Sequence, residues 1–148
     1  MKNQNKKRWL AAGACVLLLL AVVLGVNLLR DRPSKYIGGP VDGYVLVNWQ
    51  QKYPLGTKVI TVRVANEGTE SGGMNHPFLE EQRDGKWYRM DRDPVNMTAN
   101  LLGVGPGTEE DLTISLEGYD LKPGNYRAVF VFTDGERYIS APFTLTEN

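Results

Sequence analysis

Between Gly43 and Leu145 no stretch carries the 3.6-residue apolar spacing of a helix, and this most limits what the chain can become. Short runs rich in Val, Ile, Thr and aromatic residues are instead separated by clusters of Gly, Pro, Asn and Asp, the pattern of strands joined by tight turns. Lys58–Asn66 (KVITVRVAN) is the clearest case: Ile60, Val62 and Val64 fall on one side and Thr61 and Arg63 on the other. That alternation describes a strand with one buried and one wet face.

Seven strands are expected: Gly43–Trp49, Lys58–Asn66, Pro77–Gln82, Lys86–Met90, Asp111–Leu116, Tyr126–Thr133 and Arg137–Leu145. The third and fourth flank Asp84-Gly85 and the last two flank Asp134-Gly135. Asp-Gly between two such runs signals a hairpin, because glycine accepts the positive φ the turn needs. About seven short strands predict an all-β, antiparallel two-sheet sandwich, with a closed barrel of the OB type as the structural alternative. Leu121-Lys122-Pro123-Gly124-Asn125-Tyr126 sharpens the choice. A tyrosine opening a strand just after such a turn can return its hydroxyl to upstream backbone, the tyrosine corner of immunoglobulin-like sandwiches.

The N-terminus has a different character. Trp9–Leu29 is 21 residues without a charge, long enough at 1.5 Å per residue to span the roughly 30 Å of a bilayer's hydrocarbon core. Lys2, Lys6, Lys7 and Arg8 precede it, which orients the segment with its N-terminus in the cytoplasm and the body outside. A retained single-pass anchor at the cell membrane is therefore expected. A cleaved signal and a lipid on Cys15 are the rival readings; the run is long for a signal, and most of its apolar residues follow Cys15 rather than precede it. The resulting division is a basic cytoplasmic start at 1–8, the anchor at 9–29, a linker rich in Pro, Gly and charge at 30–41, and an extracytoplasmic domain at 42–148.

Charge narrows the partners. Of 17 basic residues, Lys2, Lys6, Lys7, Arg8 and Arg30 precede Asp31, which leaves 12 against 17 acidic residues and a net charge near −5 for the body. Nucleic acid is not expected, since phosphate binding needs a clustered basic face. Cys15 is the one cysteine and lies in the apolar segment, so the body has neither an internal disulfide nor a Cys/His set for zinc; no metal or other cofactor is expected.

No arrangement of residues reads as catalytic. His76 is the single histidine and sits in a loop entering a strand, with no nucleophile elbow or reactive cysteine in the body. Asp91-Arg92-Asp93 and Glu109-Glu110-Asp111 lack the spacing of a calcium loop, and adjacent Glu80 and Glu81 point to opposite faces of a strand; these carboxylates are expected as solvated charges. Gly103-Val104-Gly105-Pro106-Gly107 lacks the Lys-Ser/Thr of a phosphate loop and is expected as a flexible connection. Trp49, Trp87 and Tyr88 could form an aromatic platform for a glycan or peptide, but Trp87 is expected in the core, with Tyr88, Tyr119 and Tyr138 exposed. The long connection from Asp91 to Glu110, with Met97, Leu101, Leu102 and Val104, is expected to cover one end of the sandwich, and is the first place to look for a gripping loop.

Four stretches together resemble the bacterial immunoglobulin-like domains of envelope proteins: Tyr53-Pro54 with Gly56-Thr57, Ile60-Thr61-Val62 leading to Asn66, Asp84-Gly85-Lys86-Trp87-Tyr88, and Leu121 to Arg127. The resemblance implies the sandwich and an envelope setting, and no catalytic residues. The function expected is a non-enzymatic, membrane-anchored module that binds an envelope protein or the cell wall, with no small-molecule substrate. Inhibition or regulation of an extracytoplasmic protease is the alternative.

Overall fold

Alternating side chains place two β-sheets face to face in the computed structural model of the chain, which describes residues 32–37, 43–92 and 102–147. The ten strands are β1 (Tyr44–Val47), β2 (Lys52–Pro54), β3 (Val59–Asn66), β4 (Gly72–Met74), β5 (Phe78–Arg83), β6 (Lys86–Arg89), β7 (Leu102–Val104), β8 (Glu109–Ser115), β9 (Gly124–Val131) and β10 (Tyr138–Thr146). One sheet has the order β1-β3-β8 and the other β2-β10-β9-β5-β6, while β4 and β7 form a small ribbon. All pairings are antiparallel except that of β2 with β10. The described residues contain no helix, and the apolar segment Trp9–Leu29 lies outside them.

The core follows from the alternation. Ile60, Val62 and Val64 of β3 and Leu112 and Ile114 of β8 face Leu79 of β5, Ala128 and Phe130 of β9, and Ile139, Ala141, Phe143 and Leu145 of β10. Register joins them across strands, with Ile60 opposite Ile114 and Val62 opposite Leu112, so each apolar side chain meets another at the close spacing of a cross-strand pair. The chain passes from one sheet to the other between its first two strands. β1 belongs to the smaller sheet, Asn48 turns through φ 47°, and β2 then joins the edge of the larger one. Asparagine is among the few residues that enter the left-handed region readily.

Three local devices hold the connections. Asp84 and Gly85, at φ 49° and 76°, form a two-residue turn closed by the Arg83–Lys86 pair, a type I′ geometry matching the twist of β5 and β6. Asp134 instead organises a wider turn: its Oδ1 accepts from the amides of Glu136 (2.9 Å) and Arg137 (3.0 Å). Tyr126 donates its hydroxyl to the carbonyl of Lys122 (2.8 Å) and accepts from the Lys122 amide (3.1 Å), which is the tyrosine corner expected from sequence.

Buried Asn66 ties the loops at one end. Its Nδ2 faces the carbonyls of Glu70 (2.8 Å) and Val104 (3.0 Å) and the Tyr44 hydroxyl (3.2 Å), and its Oδ1 accepts from the Gly68 amide (3.0 Å). Val104 is fully buried and β7 pairs with β4, so Gly103-Val104 is part of a ribbon rather than the flexible connection expected. β2, β4 and β7 escape the strand pattern because they are three residues long and contain Gly or Pro; backbone pairing, not apolar alternation, makes them strands.

The outer face of the larger sheet departs from the rule of one wet face. Phe78, Val129, Val131 and Tyr138 are buried there, packed with Tyr36. Residues 33–37, within the stretch expected as a linker, lie across this face: the Ser34 amide donates to the carbonyl of Trp87 (2.7 Å), and Arg127 Nη2 donates to the carbonyl of Tyr36 (2.6 Å). Beneath them Arg127 Nε donates to Glu80 Oε2 (2.7 Å), the two side chains being 5% and 1% exposed.

Candidate interaction edge

Sheet edges present unpaired amides and carbonyls, and folded proteins usually blunt them with charge or proline. Three of the four edges of the two main sheets are treated this way. β2 carries Lys52 and Pro54, β6 carries Lys86 and Arg89, and β8 opens with Glu109, Glu110 and Asp111. β1 is different: its four residues, Tyr-Val-Leu-Val, have no charge and no proline, and among the described residues no strand pairs with its outer edge. Tyr44 and Leu46 point to the core, while Val45 points outward and is 42% exposed.

Beside this edge the outer face of the smaller sheet is hollowed by a groove of about 440 Å³. Val47 and Val59 give it apolar walls, Val59 being half exposed, and Tyr53 and Thr61 contribute polar tips. Arg63 and Asp111 close one side with a bidentate pair, Nε to Oδ1 at 2.7 Å and Nη2 to Oδ2 at 2.9 Å. That bonding lowers the Asp111 carboxyl below its ordinary range and raises the Arg63 guanidinium, so both stay charged and neither is poised to exchange a proton. Desolvation raises the Tyr53 phenol, which therefore remains a neutral donor. Edge and groove together can offer backbone hydrogen bonds and shallow apolar sockets for alternate side chains, the requirements for adding an extended peptide as a further strand.

The residues weighed from sequence fall elsewhere. His76 is half-buried at the rim of a depression of about 330 Å³ shared with Phe78, Arg89, Met90, Asp91, Arg92 and Tyr119, and among the described residues no serine, threonine or cysteine lines it. Glu109 and Asp111 share the outer face of β8, and among the described residues no three His, Cys, Asp or Glu side chains converge as metal ligands. Glu80 is not a solvated charge: it is buried against Arg127, because the segment 33–37 covers the sheet there. Glu81, on the opposite face, accepts from Arg83 Nε (2.8 Å).

The three aromatic residues do not form one platform. Trp49 donates Nε1–H to the carbonyl of Pro142 (2.6 Å) and packs with Tyr53 and Phe143. Trp87 is not in the core but on the outer face, its ring 4.8 Å from the Arg127 guanidinium, and Tyr88 lies on the other face under Arg83. The two are reversed relative to expectation because the two-residue turn pairs Trp87 with Gln82 on the Glu80 side of β5. Tyr138 is buried and Tyr119 half-buried, its hydroxyl accepting from the Leu79 amide (3.3 Å). Met97 and Leu101 of the long connection lie outside the described residues. The β1 edge was missed at the sequence level, although the absence of charge from Gly43–Val47 was a visible signal.

Residues 43–144 match the model of a family described as Bacterial Ig-like domain. A search among curated proteins found no match.

Proposed function

The chain belongs to the bacterial Ig-like domain family, and from that premise we propose that it is a binding module rather than a catalyst, taking up an extended segment of an envelope protein along β1. The observation that carries this reading is the unblunted β1 edge with the groove beside it, while every other edge of the two main sheets carries charge or proline. An antiparallel partner strand would take hydrogen bonds from the β1 backbone and set alternate side chains toward Val45, Val47 and Val59.

The setting is part of the proposal and is supported by sequence. The uncharged run Trp9–Leu29 behind Lys2, Lys6, Lys7 and Arg8 suits a retained anchor with the domain on the outer side of the membrane. The mass of the mature chain tests it: an intact, unmodified chain is expected, and a shortened or lipidated one refutes the anchor.

For the binding edge, a photo-crosslinking residue is placed at Val45, or at Thr113 on β8, in the full chain within the cells that make it. Adducts with another protein from position 45 but not from 113 are expected. Adducts from neither position, or from both equally, would sink the reading.

A further inference from the structure

We propose that the outer face of the larger sheet is a second docking surface, for an extended peptide with an aromatic side chain two residues after a small one, and that residues 33–37 are its resident occupant. This rests on the chain being an interaction module but not on the β1 edge, so either surface can fail while the other stands.

The face is built as a receptor for backbone and one ring. Val129 is its floor, at 0% exposure, and Phe78 and Tyr138 are its walls. The Tyr36 ring enters between them, 5.8 Å from Phe78 and edge-on at 5.0 Å from Tyr138. The polar grips take main chain or a small hydroxyl: Arg127 Nη2 holds the Tyr36 carbonyl and reaches Ser34 Oγ (3.3 Å), while the Trp87 carbonyl holds the Ser34 amide. Arg127 is pre-set for this by Glu80 behind it and the Trp87 ring over it. Lys35 and Ile37 are exposed, Ile37 at 86%, with the Lys35 ammonium 5.1 Å over the Tyr36 ring. One ring, one small hydroxyl and a short stretch of backbone are therefore specified, and an extended peptide with an aromatic residue two places after a serine can make the same contacts.

Two features make the resident segment exchangeable. It forms no strand of its own and meets β6 through the bond from the Ser34 amide to the Trp87 carbonyl, and its ring packs with the small outer cluster rather than with the core between the sheets. It also lies at the N-terminal end of the compact unit Pro33–Asn148. A peptide that takes its place would release five residues of tether, about 17 Å at the extended limit of 3.3–3.6 Å per residue. Binding on this face is thereby coupled to how far the domain reaches from whatever holds the N-terminal part, and the resident segment competes at the high effective concentration of a tethered ligand.

The test uses the full chain in detergent and a labelled, end-blocked peptide Pro-Ser-Lys-Tyr-Ile, with fluorescence polarisation as the readout. Wild-type chain should bind it weakly, because the site is filled. Tyr36→Ala should bind it at least about tenfold more tightly, as removal of a tethered competitor requires, and a peptide with alanine for its tyrosine should bind neither chain. Ser34→Pro, which removes the amide donated to Trp87, should also raise affinity and serves if Tyr36→Ala loses its near-ultraviolet circular dichroism. A folded variant that binds no better than wild type overturns the proposal, as do equal affinities for the two peptides. Loss of fold in both variants would also overturn it, because the segment would then be part of the domain's core.

Discussion

Replacing Arg127 by methionine probes the outer layer of the larger sheet most directly. Arg127 and Glu80 are 5% and 1% exposed, so methionine leaves a carboxylate without its cation in a site closed to water. Breaking a buried pair in this way costs about 3–5 kcal/mol. Glu80→Leu should cost less, about 2–3 kcal/mol, because the charge it leaves behind is not stranded in the way that makes breaking a buried pair so costly. The guanidinium then keeps the Tyr36 carbonyl, Ser34 Oγ and the Trp87 face, and its long stem can carry the charge toward solvent. The double variant Glu80→Leu/Arg127→Met should return to within about 1 kcal/mol of wild type, because well-packed apolar replacements of buried pairs are close to neutral. Urea unfolding followed by tryptophan fluorescence measures all three. With a slope of about 1.5 kcal/mol/M, Arg127→Met should lower the midpoint by about 2–3 M, and the cycle should give a coupling energy well above 1 kcal/mol. A cost below about 1 kcal/mol for Arg127→Met would mean that water reaches the pair. Additive single costs would mean that the two charges are uncoupled. Either result refutes the argument that residues 33–37 seal this face.

Other expectations follow from the same geometry. Tyr126→Phe removes one hydroxyl and two hydrogen bonds that close the corner before β9, and should cost about 1–2 kcal/mol in the same assay while the fold persists. Gly72→Ala would set a Cβ 2.4 Å from two carbons of the Phe132 ring, and overpacking of this kind should cost about 1–3 kcal/mol, seen as a lower melting temperature. The Asp134 carboxyl is held at about 2 by hydrogen bonds from the Arg137 side chain and from the Arg137 and Glu136 amides. A carboxyl whose folded pKa is depressed stabilises the folded state above its unfolded value and loses that contribution as pH falls through the folded one. Wild type should therefore lose stability between about pH 4 and pH 2 in a step that Asp134→Ala lacks, and carboxyl chemical shifts should place the titration near 2.

Legibility differed from place to place for physical reasons. β3 was readable because Ile60, Val62 and Val64 alternate with Thr61 and Arg63, and each apolar residue is buried where alternation puts it. The Asp84-Gly85 turn and the Tyr126 corner were readable because each is a local motif whose chemistry is complete within a few residues. β4 and β7 were not, since Gly72-Gly73-Met74 and Leu102-Gly103-Val104 become strands by pairing with each other across about 30 residues of chain. Trp87 was assigned to the wrong face because alternation alone leaves the phase of a hairpin open until its register is known.

The sequence by itself determined the class of fold, because period-two alternation and Asp-Gly turns are short-range signals that a helix cannot satisfy. It also determined that residues 9–29 form one uncharged run. Only the tertiary structure decided which edge is left unblunted and which face is covered, since both depend on what lies beside a strand rather than within it. Tyr36 is the sharpest instance. In the sequence it is one aromatic residue in a stretch of Pro, Gly and charge. In the fold it is the ring that closes an apolar socket while its carbonyl takes a bond from buried Arg127, because Phe78, Val129 and Tyr138 arrive there from three different strands.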